Sequence, residues 1–276
     1  MEYRDKVIIA TMPTDSWQRR AARAEVLAAQ YPFAAEILKF YVHVAHFQKG
    51  VYGELQAARS AEAGSGVLAD PAEIPELVSG LGTFLSLVQN AGPPSLGRTA
   101  AALREQGSDR WSEVLKASWL SLDASPSSPV ELLGKAFLQP YAEFLRDRAA
   151  SQWKGYTQSL CPFCSRKPVA GVLRQQGDGA ARSLLCGFCL AEWEFRRIVC
   201  PGCGEEDNRK LPVYTADQFD YLRVECCESC RTYLKSVDLT KNGLAEPLVD
   251  EIASAPLDLW AGEHGYAKLQ TNLLGM

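Results

Sequence analysis

The chain contains 276 residues, of which 47% are hydrophobic and 22% are charged, a balance typical of a globular protein that buries a substantial core. Its net charge of −4 argues against a general nucleic-acid binder, because contacts to phosphates require an excess of lysine and arginine. The sequence has neither a secretory signal peptide nor an apolar run long enough to cross a membrane, which predicts a cytoplasmic protein without direct membrane insertion.

The first half of the chain has the periodicity of helices. Apolar residues at three- and four-residue steps predict six helices, approximately over residues 15–31, 33–60, 77–88, 96–106, 109–122 and 132–145. Thr14 or Asp15 can cap the first helix, and the residues before them are expected to form a loose arm. Gln48 interrupts the apolar row of the second helix. Pro140 is expected to kink the last one, because proline removes a backbone hydrogen bond.

Eight of the nine cysteines in the second half form Cys-x-x-Cys pairs, in which one tight turn can present two sulfurs to the same metal ion. The intervals are 21 residues between the first two pairs, 10 between the second and third, and 23 between the last two. Long intervals of this size are typical of four-cysteine ribbons, so we predict two sequential metal sites. The first site comprises Cys161, Cys164, Cys186 and Cys189, and the second comprises Cys200, Cys203, Cys227 and Cys230.

The sequence of the turns favours metal binding over disulfides or buried filler cysteines. In Cys200-Pro201-Gly202-Cys203-Gly204, proline fixes φ after the first sulfur and glycine is free to adopt a positive φ after the second. The predicted cytoplasmic location keeps thiols reduced, which disfavours disulfides. Four thiolates accept either zinc or iron, so the spacing leaves the identity of the two ions open.

Short β-branched and aromatic segments surround the cysteine pairs and predict strands. Their expected bounds are Val169–Arg174, Arg182–Cys186, Trp193–Val199, Leu211–Thr215, Phe219–Glu225 and Thr232–Asp238. A terminal helix is predicted from Glu246-Pro247 to Gly265, with Pro256 as a candidate break. Trp193, Tyr221 and Tyr233 are expected to form the small cores of the two ribbons.

Four segments of the second half resemble the formate dehydrogenase accessory protein family, known as FdhE. They are CPFCSRKPVAGVL, RSLLCGFCLAEWEFRRIVCPGCG, VECCESCRTYLKSVD and LDLWAGEHGYAKLQTNLL. The resemblance covers about residues 158 to 276. It implies a bacterial cytoplasmic assembly factor that is needed for active formate dehydrogenase, acts on its catalytic subunit and carries two rubredoxin-like metal modules. Such modules favour iron in anaerobic cells, whereas aerobic overexpression favours zinc.

Two positions depart from the pattern of that family, whose Glu-Trp motif falls on Glu192-Trp193. Asp250-Glu251 stand where paired aspartates are usual, which keeps the charge. Cys226 adds a ninth thiol beside Cys227. Adjacent residues do not easily join one tetrahedron, so we expect Cys226 to be a small strand side chain and not a ligand.

No other pattern in the sequence predicts catalysis or nucleic-acid binding. His43 and His46 have a spacing compatible with a metal site, but no motif completes it, and they are interpreted as structural. Arg196-Arg197 are interspersed with acidic residues, which favours a solvated mixed-charge surface. Because no nucleophile motif, phosphate-binding loop or paired carboxylates beside a histidine occur, the protein is not predicted to be an enzyme.

The predicted fold class is α+β, with an N-terminal all-α helical bundle followed by two tandem rubredoxin-like, or zinc-ribbon-like, four-cysteine modules and a C-terminal helix. The expected domains are residues 1–157, 158–198, 199–240 and 241–276. The predicted function is assembly of formate dehydrogenase through its catalytic subunit, without nucleic acid. A zinc-ribbon nucleic-acid adaptor and a thiol redox protein remain as alternatives.

Overall fold

The computed structural model describes residues 15–59, 75–122, 126, 128–149, 153, 155–177 and 179–275. Eight α-helices lie within these residues: α1 (Ser16–Gln30), α2 (Ala35–Arg59), α3 (Pro75–Ala91), α4 (Pro94–Arg104), α5 (Gly107–Leu120), α6 (Pro129–Ala149), α7 (Pro247–Ala253) and α8 (Ala255–Glu263). Seven strands follow the helical half: β1 (Pro168–Gln176), β2 (Gly179–Cys186), β3 (Glu192–Glu194), β4 (Val213–Tyr214), β5 (Leu222–Cys226), β6 (Thr232–Asp238) and β7 (Ala267–Lys268). The predicted order of regions is confirmed: a helical half comes first, a cysteine-rich sheet region follows, and helices lie near the C-terminus.

The ends of the helices follow the predicted signals closely. Asp15 caps α1, because its carboxylate accepts the Trp17 N–H at 2.9 Å. The alternative cap Thr14 and the predicted loop at residues 63–66 lie outside the described residues. The terminal helix is divided into α7 and α8 close to Pro256, as the sequence indicated. None of the described helices is both long and apolar enough to span a membrane.

Gln48 interrupts the apolar row of α2 because it completes the hydrogen bonding of α6. Pro140 lies inside α6 and has no N–H for the carbonyl of Ala136, four residues earlier. The Gln48 side chain is fully buried and donates Nε2–H to that carbonyl at 2.6 Å. The two irregular positions noted in the sequence therefore form one contact across two helices.

The strands of both cysteine-rich regions belong to one sheet, in the order β3-β2-β1-β6-β5-β4, with β7 beside β6. The central pair β1 and β6 is parallel and joins the two regions directly. Gly171 permits this pairing, since a β-carbon at that position would lie 2.1 Å from Oγ of Ser236. The division into domains at residues 157, 198 and 240 stays a prediction, whereas the shared sheet was not foreseen.

Two predicted strands are wrong over most of their length: of Leu211–Thr215 only Val213 and Tyr214 form β4, and the strand from Trp193 is also shorter than expected. Residues 195–199 were expected to continue the strand from Trp193, but β3 ends at Glu194. The chain turns away because the buried guanidinium of Arg182 donates to the carbonyls of Arg196 and Val199 at 3.0 and 3.1 Å. Those carbonyls consequently bond to a side chain and not to a neighbouring strand.

Two hydrophobic cores connect the helices to the sheet. The first includes Phe84 and Phe137 of the helical bundle together with Trp193 and three cysteines of the sheet region, Cys161, Cys186 and Cys189. The second packs α1, α2 and α7 against the sheet and includes Tyr221 and Tyr233. The three aromatic residues expected to form small ribbon cores are thus buried in cores that the ribbons share with helices.

Buried ion pairs fix α7 against its surroundings. Asp250 is fully buried and accepts from Arg23 of α1 at 2.6 Å. Its neighbour Glu251 is also fully buried and pairs with Lys235 of β6 at 3.1 Å and with Lys268 of β7. Burial opposes ionisation, but the two lysines hold the pKa of Glu251 at about 2. The Asp-Glu pair noted in the sequence therefore joins α7 to α1 and to two strands.

Candidate metal centres

The four Cys-x-x-Cys turns have the same backbone conformation. In each turn the N–H of the first cysteine donates to the carbonyl five residues later, at 2.8 to 2.9 Å. The residue after each second cysteine has a positive φ: 58° at Ser165, 52° at Leu190, 79° at Gly204 and 54° at Arg231. Only Gly204 had been identified from the sequence as suited to this position. The other three hold a conformation that costs a non-glycine residue about 1–2 kcal/mol.

The sulfurs of the first cluster converge on one point. The Sγ atoms of Cys161 and Cys189 are 3.5 Å apart, those of Cys164 and Cys186 are 3.4 Å apart, and all four lie within 4.8 Å of one another. A tetrahedral ion with metal–sulfur bonds of about 2.3 Å would separate its ligands by about 3.8 Å. The spacing suits one tetrahedral ion.

The second cluster has the same arrangement. The Sγ atoms of Cys200 and Cys230 are 3.7 Å apart, and those of Cys203 and Cys227 are 3.6 Å apart. All four again lie within 4.8 Å of one another. These separations exceed the roughly 2.05 Å of a disulfide, and all the cysteines are free. The sequential grouping of cysteine pairs is the one predicted.

Burial and mutual repulsion oppose the simultaneous ionisation of all four thiols in each cluster. In the first cluster, hydrogen bonds from Cys161 and its neighbours lower the pKa of Cys164, whereas burial raises the pKa of Cys186 and Cys189 well above normal. In the second, burial raises the pKa of Cys200 to about 12. Four thiolates this close repel one another, so they ionise together only around a positive ion. Two clusters can therefore hold two metal ions, and their donor sets do not distinguish iron from zinc.

Helices α5 and α6 cover the first cluster. Arg166 follows the first cysteine pair, lies over the Phe188 ring and donates to the Trp119 carbonyl at 2.7 Å, near the end of α5. From α6, Gln139 donates to the Gly187 carbonyl at 3.3 Å and Arg146 donates to the Leu190 carbonyl at 2.6 Å. The second cysteine pair is thereby held against the helical bundle.

The second cluster lies at the surface. Cys203 is exposed and Cys230 is half-buried, whereas three of the four cysteines in the first cluster are buried. Its outer contacts are also exposed, including the hydrogen bond from Arg231 to the His264 carbonyl at 2.8 Å. Solvent and solutes can approach the second cluster more readily than the first.

The other singled-out residues lie outside both clusters. Cys226 is buried in β5, and burial raises the pKa of its thiol to about 12, in keeping with the expected small strand side chain. His43 and His46 are exposed, and neither belongs to a metal-binding group within the described part of the chain. Arg196 pairs with Glu206 on an exposed mixed-charge surface, as predicted.

Sequence reasoning missed the three side chains that fasten the first cluster to the helices, namely Arg166, Gln139 and Arg146. Arg166 stands two residues after a predicted ligand, so its position gave a weak signal. The two residues on α6 fall within a helical pattern and gave none, because their acceptors are backbone carbonyls more than 40 residues away.

Together, the fold and the two clusters define a protein with a helical region packed on a sheet that carries two four-cysteine clusters. Comparison with known families is specific: residues 160–197 match the model described as "FdhE, central domain", and residues 198–274 match "FdhE, C-terminal domain". The cysteine-rich half of the chain therefore matches the FdhE family models, in agreement with the resemblance noted in the sequence.

Relatives extend the likeness over the helical half. A protein FdhE homolog of Aquifex aeolicus is 26% identical over 266 residues, which cover 92% of this chain and 93% of the relative. A homolog of Stutzerimonas stutzeri is 28% identical over 95% of this chain and 90% of its own. One from Pseudomonas putida is 33% identical over 55% of this chain and 50% of its own. The crystal structure of the FdhE protein from Pseudomonas aeruginosa has a TM-score of 0.65 and 23% identity over 96% of this chain and 97% of that one, which shows the same fold.

Proposed function

We propose that this protein is a cytoplasmic assembly factor that binds the catalytic subunit of a formate dehydrogenase during its maturation. The FdhE family is involved in formate dehydrogenase maturation, and this chain carries both of the matching domains. The observation that carries the proposal is the pair of closed four-thiol clusters on a single sheet, which suits a rigid binding platform.

The proposed ligands are Cys161, Cys164, Cys186 and Cys189 in the first site and Cys200, Cys203, Cys227 and Cys230 in the second. A catalytic zinc site usually retains one position for water, whereas each of these clusters offers four thiols to one ion. The ions would supply charge neutralisation and cross-linking of distant turns, and iron would in addition permit one-electron exchange. We therefore propose structural sites in a protein that acts by binding and not by catalysis.

The proposal is tested by purifying a tagged form of the protein from cells grown anaerobically with formate. The expected result is enrichment of the formate dehydrogenase catalytic subunit. Recovery of nucleic acid alone would favour the adaptor alternative, and recovery of thioredoxin-system proteins alone would favour the redox alternative. Either outcome would overturn the proposed function.

A deletion strain supplies a second test. Formate-dependent dye reduction by membranes from that strain should be lost and should return when the wild-type gene is supplied. Normal activity of formate dehydrogenase in the deletion strain would contradict the proposed role.

A further inference from the structure

A cavity of about 360 Å³ lies on the sheet beside the second cluster. Its lining includes Leu173 of β1, Arg182 of β2 and Leu234 of β6, so it crosses the junction between the two cysteine-rich regions. Cys200 and Cys227 line its end. Its volume lies within the range of about 300–1,000 Å³ that is usual for ligand pockets. We call this cavity the inter-module cleft.

The rim of the cleft is apolar and exposed. Ile198 is 57% exposed to solvent and Val213 is 53% exposed, and both line the cleft. Val213 belongs to β4, which has one strand neighbour and forms the edge of the sheet in the described part of the chain. An edge strand beside an apolar groove is the usual setting in which an extended peptide adds to a sheet.

The charges around the cleft restrict what it can bind. Arg182 pairs with Glu225 and Arg223 pairs with Asp238, so these cations are already neutralised. Arg197 is exposed at the rim and makes no ion pair or hydrogen bond with any residue that the structure describes. One free cation beside an apolar floor complements a single carboxylate, whereas a nucleic acid presents a row of phosphates and requires several cations.

We propose that the inter-module cleft binds an extended, apolar segment of a partner polypeptide that carries an acidic side chain opposite Arg197. This assignment rests on the proposed function, from which it follows that the segment belongs to the formate dehydrogenase catalytic subunit. The apolar side chains of the segment enter between Ile198 and Leu234, and its backbone runs beside β4. Because two cysteines of the second cluster line the cleft, the metal at that cluster shapes the binding surface.

The test measures capture of the catalytic subunit by variants of the rim. Ile198→Glu and Arg197→Glu should each weaken capture at least about tenfold, since each removes a contact and adds a repulsive charge. Both side chains are exposed, so the variants should keep the metal content of the wild type. Val26→Glu, on an α1 residue that is 56% exposed, and Arg196→Glu are the matched controls and should capture normally.

A photo-crosslink identifies the bound segment. Val213→benzoylphenylalanine should crosslink to one apolar stretch of the catalytic subunit that contains Asp or Glu. Undiminished capture by both Ile198→Glu and Arg197→Glu would overturn the cleft assignment while leaving the proposed function intact. Failure of the wild-type protein to capture the subunit would overturn both. Crosslinking to nucleic acid, or to a basic segment, would also overturn the assignment.

Discussion

The two metal sites should lose their ions at very different rates when a chelator is added. The first cluster is covered by α5 and α6, whereas Cys203 of the second cluster is an exposed residue. A chelator must reach the ion, so it should remove one equivalent quickly from the second cluster. Release from the first cluster should require that its turns first open from the helices.

The size of the difference follows from the contacts that must break. Arg166, Gln139 and Arg146 each tie the first cluster to α5 or α6. At about 1 kcal/mol of net stabilisation for each residue, the three together contribute about 3 kcal/mol. That free energy corresponds to a factor of about 100 in the opening equilibrium. The corresponding contacts around the second cluster are solvent-exposed and contribute less.

The assay adds a chelator that becomes coloured when it binds zinc to the zinc-loaded protein and follows the colour over time. Alkylation of the freed cysteines followed by mass spectrometry identifies which site has opened. We expect two phases of one equivalent each, with alkylation between the phases confined to the second cluster. Arg146→Met should accelerate the slow phase by about fivefold, because it frees the Leu190 carbonyl. Arg148→Met, an exposed change in the same turn of α6, is the control. A single phase for both equivalents, or earlier alkylation of Cys161, would refute the reasoning.

Three further predictions concern the fold. Gln48→Leu should lower the free energy of unfolding by about 1–3 kcal/mol, because it leaves the buried Ala136 carbonyl without a donor. Adding Pro140→Ala to that variant should remove most of the loss. If urea denaturation shows that the effects of the two changes simply add, the contact is contradicted. Gly204→Ala should destabilise its module by about 1 kcal/mol, because φ is 79° at that position. Ser165→Gly should be neutral or stabilising, because glycine adopts a positive φ without strain. Thermal melts in which both variants lower the melting temperature would be inconsistent with a shared turn geometry. Glu251→Gln should destabilise the protein most above pH 4.5, which is the ordinary pKa of a glutamate, and progressively less as the pH falls towards about 2. If urea titrations give the same loss of unfolding free energy at pH 6 and at pH 3, the ion pairing is contradicted.

The local features of the fold were predictable because their causes lie close together in the sequence. The Asp15 cap and the cysteine spacing depend on neighbours within a few residues, and the strand Thr232–Asp238 was predicted with the observed bounds. The grouping of the thiols followed from the intervals between pairs. Because these features depend on neighbouring residues, contacts with distant parts of the chain do not change them.

The features that were missed depend on residues far apart in the chain. The parallel pairing of β1 and β6 brings Ala170 beside Lys235, and no turn signal encodes that contact. Likewise, the early end of β3 depends on Arg182, which is engaged with the carbonyl of Val199. Periodicity identifies a buried face, but it does not tell which element covers that face.

Both four-thiol clusters are proposed to hold metal ions that support a binding surface. This proposal is tested most directly by measuring metal content and capture of the catalytic subunit on the same samples of wild type, Cys161→Ser and Cys226→Ser. We expect two ions and normal capture for wild type and Cys226→Ser, but loss of the first-site ion and of capture for Cys161→Ser. Full metal content in Cys161→Ser, with the partner trapped as a mixed disulfide, would contradict it.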